Sequence, residues 1–214
     1  MKNYLPILFI LLSLLLSACG HNDMSDLEQK AEQGDADAQL YLGVCYANGN
    51  GVEKNRREAV EWWHLSAEQG NLVAQFYLGV SYATGDGVEK DLREAVKWYR
   101  KAAEQDDFNA QRELGWCYFY GEGVEKNRKE AVKWYHKAAE QGYAQAQYDL
   151  GMCYERGRGV IKNHVEAYAW YILSSINENK NALKNMKKLR KKMTRKQIEE
   201  AYKLVEKYSC GKFD

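Results

Sequence analysis

Through most of this 214-residue chain the apolar positions keep a helical period. Ala95, Trp98, Tyr99 and Ala102 fall at i, i+3, i+4 and i+7, the stripe of an amphipathic helix. Just upstream, Ala74, Leu78 and Tyr82 fall at i, i+4 and i+8, one face of a second helix. The pair recurs in frames beginning at Ala31, Ala67, Ala103 and Ala139, each of 36 residues and with no gap between them. First helices are therefore predicted over Asp35–Asn48, Asn71–Thr84, Asp107–Tyr120 and Tyr143–Arg156, each followed by a loop and a second helix. A unit of this size cannot bury its apolar face alone, so a fixed period of this length predicts a stacked helical array.

The loop is as regular as the helices. Gly49, Gly85, Gly121 and Gly157 stand where a left-handed residue can close the first helix. Val52, Val88, Val124 and Val160 follow as apolar plugs, and Asn55, Asp91, Asn127 and Asn163 are placed as N-caps. Glu58, Glu94, Glu130 and Glu166 stand three residues later, the spacing of a capping box. A glycine recurs inside the first helix as Gly43, Gly79, Gly115 and Gly151. Mid-helix glycine costs about 1 kcal/mol against alanine, so its recurrence predicts a close approach of the partner helix. The second helix ends on Gly70 and Gly142, with Asp106 at the corresponding place in the third unit. Asp tolerates the left-handed region, and the turn is expected to survive.

At the amino end, Leu5–Leu16 is an apolar run broken only by Pro6 and Ser13. It is short of the ~20 residues of a membrane span and has the length of a signal-peptide core. It ends in Leu16-Ser17-Ala18-Cys19-Gly20, which resembles the lipobox of bacterial lipoproteins. That resemblance implies cleavage before Cys19 and lipidation of its thiol. More than one acyl chain would be needed for a stable anchor. Gly20 rather than Asp after the cysteine implies the outer membrane of a two-membrane cell, with the protein facing the periplasm. The expected organisation is a signal peptide over residues 1–18 and a tether over 19–24. A capping helix over 25–34, opened by a Ser25/Glu28 capping box, then leads into the repeat array over 35–174. Capping helices over 175–214 close it, with Met186, Leu189 and Met193 facing the last repeat, then Ile198, Ala201, Tyr202 and Val205.

Charge changes this picture only at the end. The chain carries 31 basic and 30 acidic side chains, but residues 180–214 hold 12 basic against 4 acidic. An acidic array thus ends in a basic tail, read as a solvated outer face of the cap.

The recurring A-x-x-G-x-x-x-A-Q-x-x-L-G-x-x-Y-x-x-G-x-G-V-x-K-[DN]-x-x-[EK]-A-x-x-W-[YW] pattern resembles the Sel1-like repeat, a relative of the tetratricopeptide repeat, over Ala31–Ser174. The resemblance implies an all-α, right-handed α-solenoid of four repeats with capping helices at both ends. It implies binding of a protein or peptide in a concave groove and no catalysis. One version of that function is an immunity-type inhibitor of a toxin entering the periplasm. A cysteine-rich branch linked to β-lactam processing pairs cysteines within each repeat, and that pairing is absent here. A structural envelope component binding peptidoglycan is a further alternative.

Cys45, Cys117 and Cys153 share one repeat position, held by Ser81 in the second unit. Equivalent helices lie ~10 Å apart, beyond the ~7 Å Cα limit for a disulfide, so these are expected to be buried free thiols. Cys210 is either free or a cross-link to a partner. His64 and His136 share a slot on the second helix and are expected to face solvent. No spacing of His, Cys, Asp or Glu suggests a metal, and no cofactor or nucleic-acid partner is expected; the chain is expected to be a monomer. The informative positions are those that vary on the first helices: Phe76 in the second unit, then Arg112, Trp116, Phe119 and Tyr120, then Tyr148, Met152 and Arg156. Aromatic residues with Arg on one face have the composition of a binding hot spot, and this face is the expected groove. Packing of Trp116 and Phe119 between adjacent repeats is the competing reading. Arg112 and Trp116 are expected to be dispensable for folding.

Overall fold

The structure, a computed structural model, describes residues 21–210. The leader, Cys19 and the first two residues of the expected tether lie outside the described residues. Eleven helices are present among the described residues, and no strand: α1 His21–Glu32, α2 Ala36–Asn48, α3 Arg56–Glu68, α4 Leu72–Thr84, α5 Leu92–Glu104, α6 Phe108–Tyr120, α7 Arg128–Glu140, α8 Ala144–Arg156, α9 His164–Ile176, α10 Lys180–Arg190 and α11 Arg195–Ser209. The chain has the all-α helical-repeat fold expected of it. Contacts divide it into two compact units, the first ending at Asp91 and the second beginning at Leu92.

In the first unit α2 packs on α3, and α3 on α4. The first helices begin at caps: the Asp35 carboxylate accepts the Ala38 N–H at 2.7 Å, and Asn71 accepts from Val73 and Ala74. α1 does not begin at Ser25. It starts at His21 and runs through Ser25, so the proposed capping box is not formed and residues 21–24 are helical rather than tether. The reason is burial: Met24 packs into the cluster around Ala31 and Leu42 and reaches toward Gly51. α1 also ends at Glu32, one 36-residue period before the Glu68 end of α3, so it is the second helix of a preceding, incomplete repeat.

In the second unit the pairs α6/α7 and α8/α9 repeat the arrangement. A Cβ on Gly115 would stand 2.7 Å from the Tyr135 ring, and one on Gly151 2.6 Å from Tyr171. The glycines are there because the second-helix tyrosine lies flat against the first-helix backbone. Asp106 holds φ +65°, so the left-handed turn survives without glycine. The capping boxes expected at the second helices are only half made. Asn127 accepts the Glu130 N–H, but its own N–H donates to the Tyr118 carbonyl at 2.8 Å, as Asn163 does to Tyr154. In the first unit Asn55 and Asp91 likewise donate to Tyr46 and Tyr82. That backbone bond ties the loop to the first helix and removes the donor a box glutamate would accept. Thr194 with Gln197 closes a full box at α11.

The glutamine of the recurrent Ala-Gln pair is a structural element. Gln39, Gln75, Gln111 and Gln147 are buried and donate to the carbonyls of Ala31, Ala67, Ala103 and Ala139 at 3.0–3.2 Å. The amide oxygen of Gln111 accepts from Gln141 and that of Gln147 from Asn177. Satisfying a buried amide this way avoids a cost of about 1–3 kcal/mol each. The Asn177 bond shows what α10 is. α10 begins one period after α8, Glu178 holds φ +65° where Asp106 and Gly142 have positive φ, and Asn179 caps α10 through Asn181 and Ala182 N–H. The first closing helix thus continues the repeat register, while α11 begins at Arg195, 31 residues after the start of α9 rather than 36. Ala182, Leu189 and Ala201 are buried, with Met186, Met193, Ile198 and Val205 packed around them. Tyr202 is half exposed, touching Tyr168 by its ring edge. Tyr208 stacks on Trp170 with centroids 4.7 Å apart and donates to Glu166.

Candidate functional site

The variable residues of the second unit converge where α6, α7 and α8 meet. Trp116, Phe119 and Tyr120 come from α6, Tyr135 from α7, and Met152 and Arg156 from α8; together they surround a shallow recess of about 40 Å³. Helical spacing produces the cluster: 116 and 120 are one turn apart, as are 152 and 156, and the two helices occupy equivalent places in successive repeats. The Trp116 and Tyr120 rings lie 4.3 Å apart, and Tyr120 is 48% exposed. Trp116 and Met152 are half-buried and Arg156 is exposed.

Three expected site residues are spent on the fold. Phe119 is 8% exposed, packed against Tyr135, Tyr120 and the Arg128 guanidinium of its own repeat. Tyr148 is half-buried against Tyr171, and its hydroxyl lies within reach of the Asn185 amide of α10. Arg112 corrects the expectation most. Its side chain is 15% exposed, and its Nε donates at 2.9 Å to Asp149, which is 5% exposed. A second nitrogen donates to Glu113 at 2.6 Å, and the guanidinium carbon lies 4.9 Å from the Trp116 ring centroid. Burial opposes the Arg112 charge, but the Asp149 and Glu113 carboxylates outweigh it and hold the group above its usual range. Burial also raises the Asp149 carboxyl, against the pull of Arg112. Arg112 is thus an internal cation beside the Trp116 ring, and a cost to folding is the expected outcome of its removal. Phe76 lies in the first unit, half-buried with its ring 6.2 Å from Tyr77.

Two residues complete the site that the first-helix face could not reveal. Arg128 opens α7 and Arg158 sits in the loop after α8. Both are exposed, and with Arg156 they act electrostatically on the Cys153 thiol. Burial pushes the Cys153 thiol up to about 12, although Arg158, Arg128 and Arg156 all pull it the other way. None of the three arginines is in an ion pair among the described residues. The signal was present at the loop position, where Asn50, Asp86 and Glu122 precede Arg158 in successive repeats. The site is therefore an aromatic and thioether floor lined by Arg156, Arg158 and the buried Asp149, with Arg128 over the adjoining Phe119 ring.

Elsewhere Cys45, Cys117 and Cys153 are buried, as expected, and Cys210 is exposed. Burial pushes Cys117, like Cys153, up to about 12, so neither is a thiolate at neutral pH. The histidines do not face solvent. His64 Nε2 lies 2.9 Å from the Tyr82 hydroxyl and His136 Nε2 3.1 Å from that of Tyr154, while Arg100 donates to Tyr118 at the same slot. The slot sits over a tyrosine eighteen residues on, in the next first helix. Among the described residues no cluster of three His, Cys, Asp or Glu could hold a metal, and no helix is long and apolar enough to cross a membrane.

The model of the Sel1 repeat matches residues 36–71, 72–107, 109–143 and 144–177. A Sel1 repeat protein from Oxalobacter formigenes is 40% identical, with a TM-score of 0.75, over 83% of this chain and 72% of its own. The c5321 protein, a protective antigen of uropathogenic Escherichia coli with an SLR fold, is 41% identical with a TM-score of 0.79, over 85% of this chain and 39% of its own. Secretory immunoglobulin A-binding protein EsiB of Escherichia coli is 46% identical over 55 residues, which is 26% of this chain and 11% of EsiB.

Proposed function

The chain belongs to the Sel1 repeat family, whose members are protein-interaction scaffolds, and from that premise we propose that it binds a protein partner through the Trp116–Arg156 face of its second unit. The observation that carries this reading is the concentration of Trp116, Tyr120 and Met152 beside Arg156 and Arg158, with Arg128 over the adjoining Phe119 ring, three cations with no ion-pair partner among the described residues. Aromatic side chains and Arg dominate binding energy at interfaces, while unpaired surface cations speed and select acidic partners. The partner segment is therefore acidic and carries an apolar side chain for the recess. The reading includes a lipid anchor at Cys19, supported by the Leu-Ser-Ala-Cys motif after an apolar core, which holds the scaffold at the cell envelope. The reading is non-catalytic: burial keeps the Cys117 and Cys153 thiols protonated, and His64 and His136 are engaged with tyrosines.

The test is affinity capture from solubilised envelope with wild type, Trp116→Ala/Tyr120→Ala and Arg128→Glu/Arg156→Glu/Arg158→Glu. One captured protein should be lost from both variants, and its recovery should fall as salt rises. Equal recovery by the charge-reversed variant, with unchanged helicity, would overturn the proposal.

A further inference from the structure

The first unit carries the same repeat junction in a different state. Where α2, α3 and α4 meet, a cavity of about 230 Å³ opens between Val44, Ala47, Trp63, Tyr77 and Val80, with Asn48, Ser81 and Thr84 making part of its wall polar. These positions are two 36-residue periods ahead of those around the recess of the second unit: Val44 stands where Trp116 does, Ala47 where Phe119 does, and Val80 where Met152 does. The second unit thus fills this junction with its own aromatic rings, leaving about 40 Å³, and the first unit leaves it open. Trp63 and Tyr77 form its walls, with ring centroids 4.9 Å apart and Trp63 6% exposed. Arg56 and Asp86 face each other across the rim at 3.4 Å, both side chains well exposed.

We propose that this slot receives an aromatic side chain from a bound polypeptide. The occupant is indicated by the chain itself, which places indole and phenyl rings in the equivalent junction. Size agrees, since an apolar cavity of about 150 Å³ already holds benzene, whereas drug-sized ligands need about 300 Å³ or more. An offset or edge contact with the Trp63 and Tyr77 rings fits the geometry aromatic pairs prefer. The exposed Arg56–Asp86 pair, which is worth little to the fold, offers a donor and an acceptor to the peptide groups flanking the inserted ring. This site is separate from the face of the second unit and does not rest on it.

The full-length chain in detergent is titrated with N-acetyl-L-tryptophanamide, N-acetyl-L-leucinamide and indole. The indole N–H resonance of Trp63, assigned by its loss in Trp63→Phe, is the readout. N-acetyl-L-tryptophanamide should shift it saturably and bind about tenfold tighter than the leucine analogue. Val44→Trp/Ala47→Phe, which copies the filled junction, should abolish the shift and melt no lower than wild type. Should that variant fail to fold, Val80→Met is the milder filling and should weaken binding at least threefold. No saturable shift with the tryptophan amide, or an unchanged one in the filled variant, overturns the proposal. Binding of free indole without binding of the amide also overturns it, in favour of a small-molecule site.

Discussion

Replacing Arg112 by Ala should destabilise the second unit severely although no apolar core residue is touched. Arg112 is 15% exposed and Asp149 5% exposed, and their bond at 2.9 Å joins α6 to α8. Without the guanidinium, Asp149 keeps one acceptor contact, from the Gln145 amide at 3.3 Å, and a carboxylate stripped of its charge partner stays in place. Removing one member of a buried pair costs about 3–5 kcal/mol because the other charge is left uncompensated. Replacing both members by packed apolar groups is often close to neutral. The chain shows which groups would fit: the positions of Arg112 and Asp149 are held two repeats earlier by Leu40 and Tyr77. Urea unfolding followed by far-ultraviolet circular dichroism should therefore give Arg112→Ala a loss of about 3–5 kcal/mol and Arg112→Leu/Asp149→Tyr a loss of less than about 1.5 kcal/mol. A loss below about 1 kcal/mol in the single variant would refute the buried-pair argument. So would a double variant no more stable than the single one.

Other consequences are smaller or more local. Gly115→Ala gains about 1 kcal/mol of helix propensity but drives a Cβ into the Tyr135 ring at 2.7 Å, so a net loss of about 1–2 kcal/mol is expected on denaturation. Burial lowers His136 from 6.5 to about 4; the unfolded chain binds a proton there first, so stability is complete above about pH 6.5 and falls as pH drops towards 4. With the ring 30% exposed, that loss should be roughly 2 kcal/mol or less. It should be visible as a low titration midpoint by NMR and reduced in His136→Arg, which copies the Arg100 slot. Metabolic palmitate labelling should be abolished by Cys19→Ala.

The repeat frame and its helix boundaries were legible because they rest on local rules repeated four times. Gly115 announced the Tyr135 approach, and Asp106 its left-handed turn, since each is a cost that only backbone geometry explains. What escaped the sequence are relations between one repeat and the next. Arg112 reads as a surface hot-spot residue until Asp149, thirty-seven positions on, is seen beneath the same face. His136 reads as solvent-facing until Tyr154 meets it from the following helix. Phe119 and Ala47 occupy the same position in the frame, yet one fills a junction and the other leaves it open, because side-chain volume lies outside a period analysis. Ser25 and Glu28 have capping spacing, but the burial of Met24 continues the helix past them. The arginines at 128 and 158 lie outside the first-helix face, and only the folded chain brings Arg128 over Phe119 and Arg158 to the recess.

A partner is expected to be read at the aromatic floor beside Arg156, Arg158 and the neighbouring Arg128. A photoreactive benzoylphenylalanine placed at position 120 in living cells tests it directly, with Lys133, exposed on α7, as the control position. One discrete adduct is expected at position 120, none at 133, and loss of that adduct when the three arginines are reversed to glutamate. No adduct at 120, or the same adduct from both positions, would contradict it.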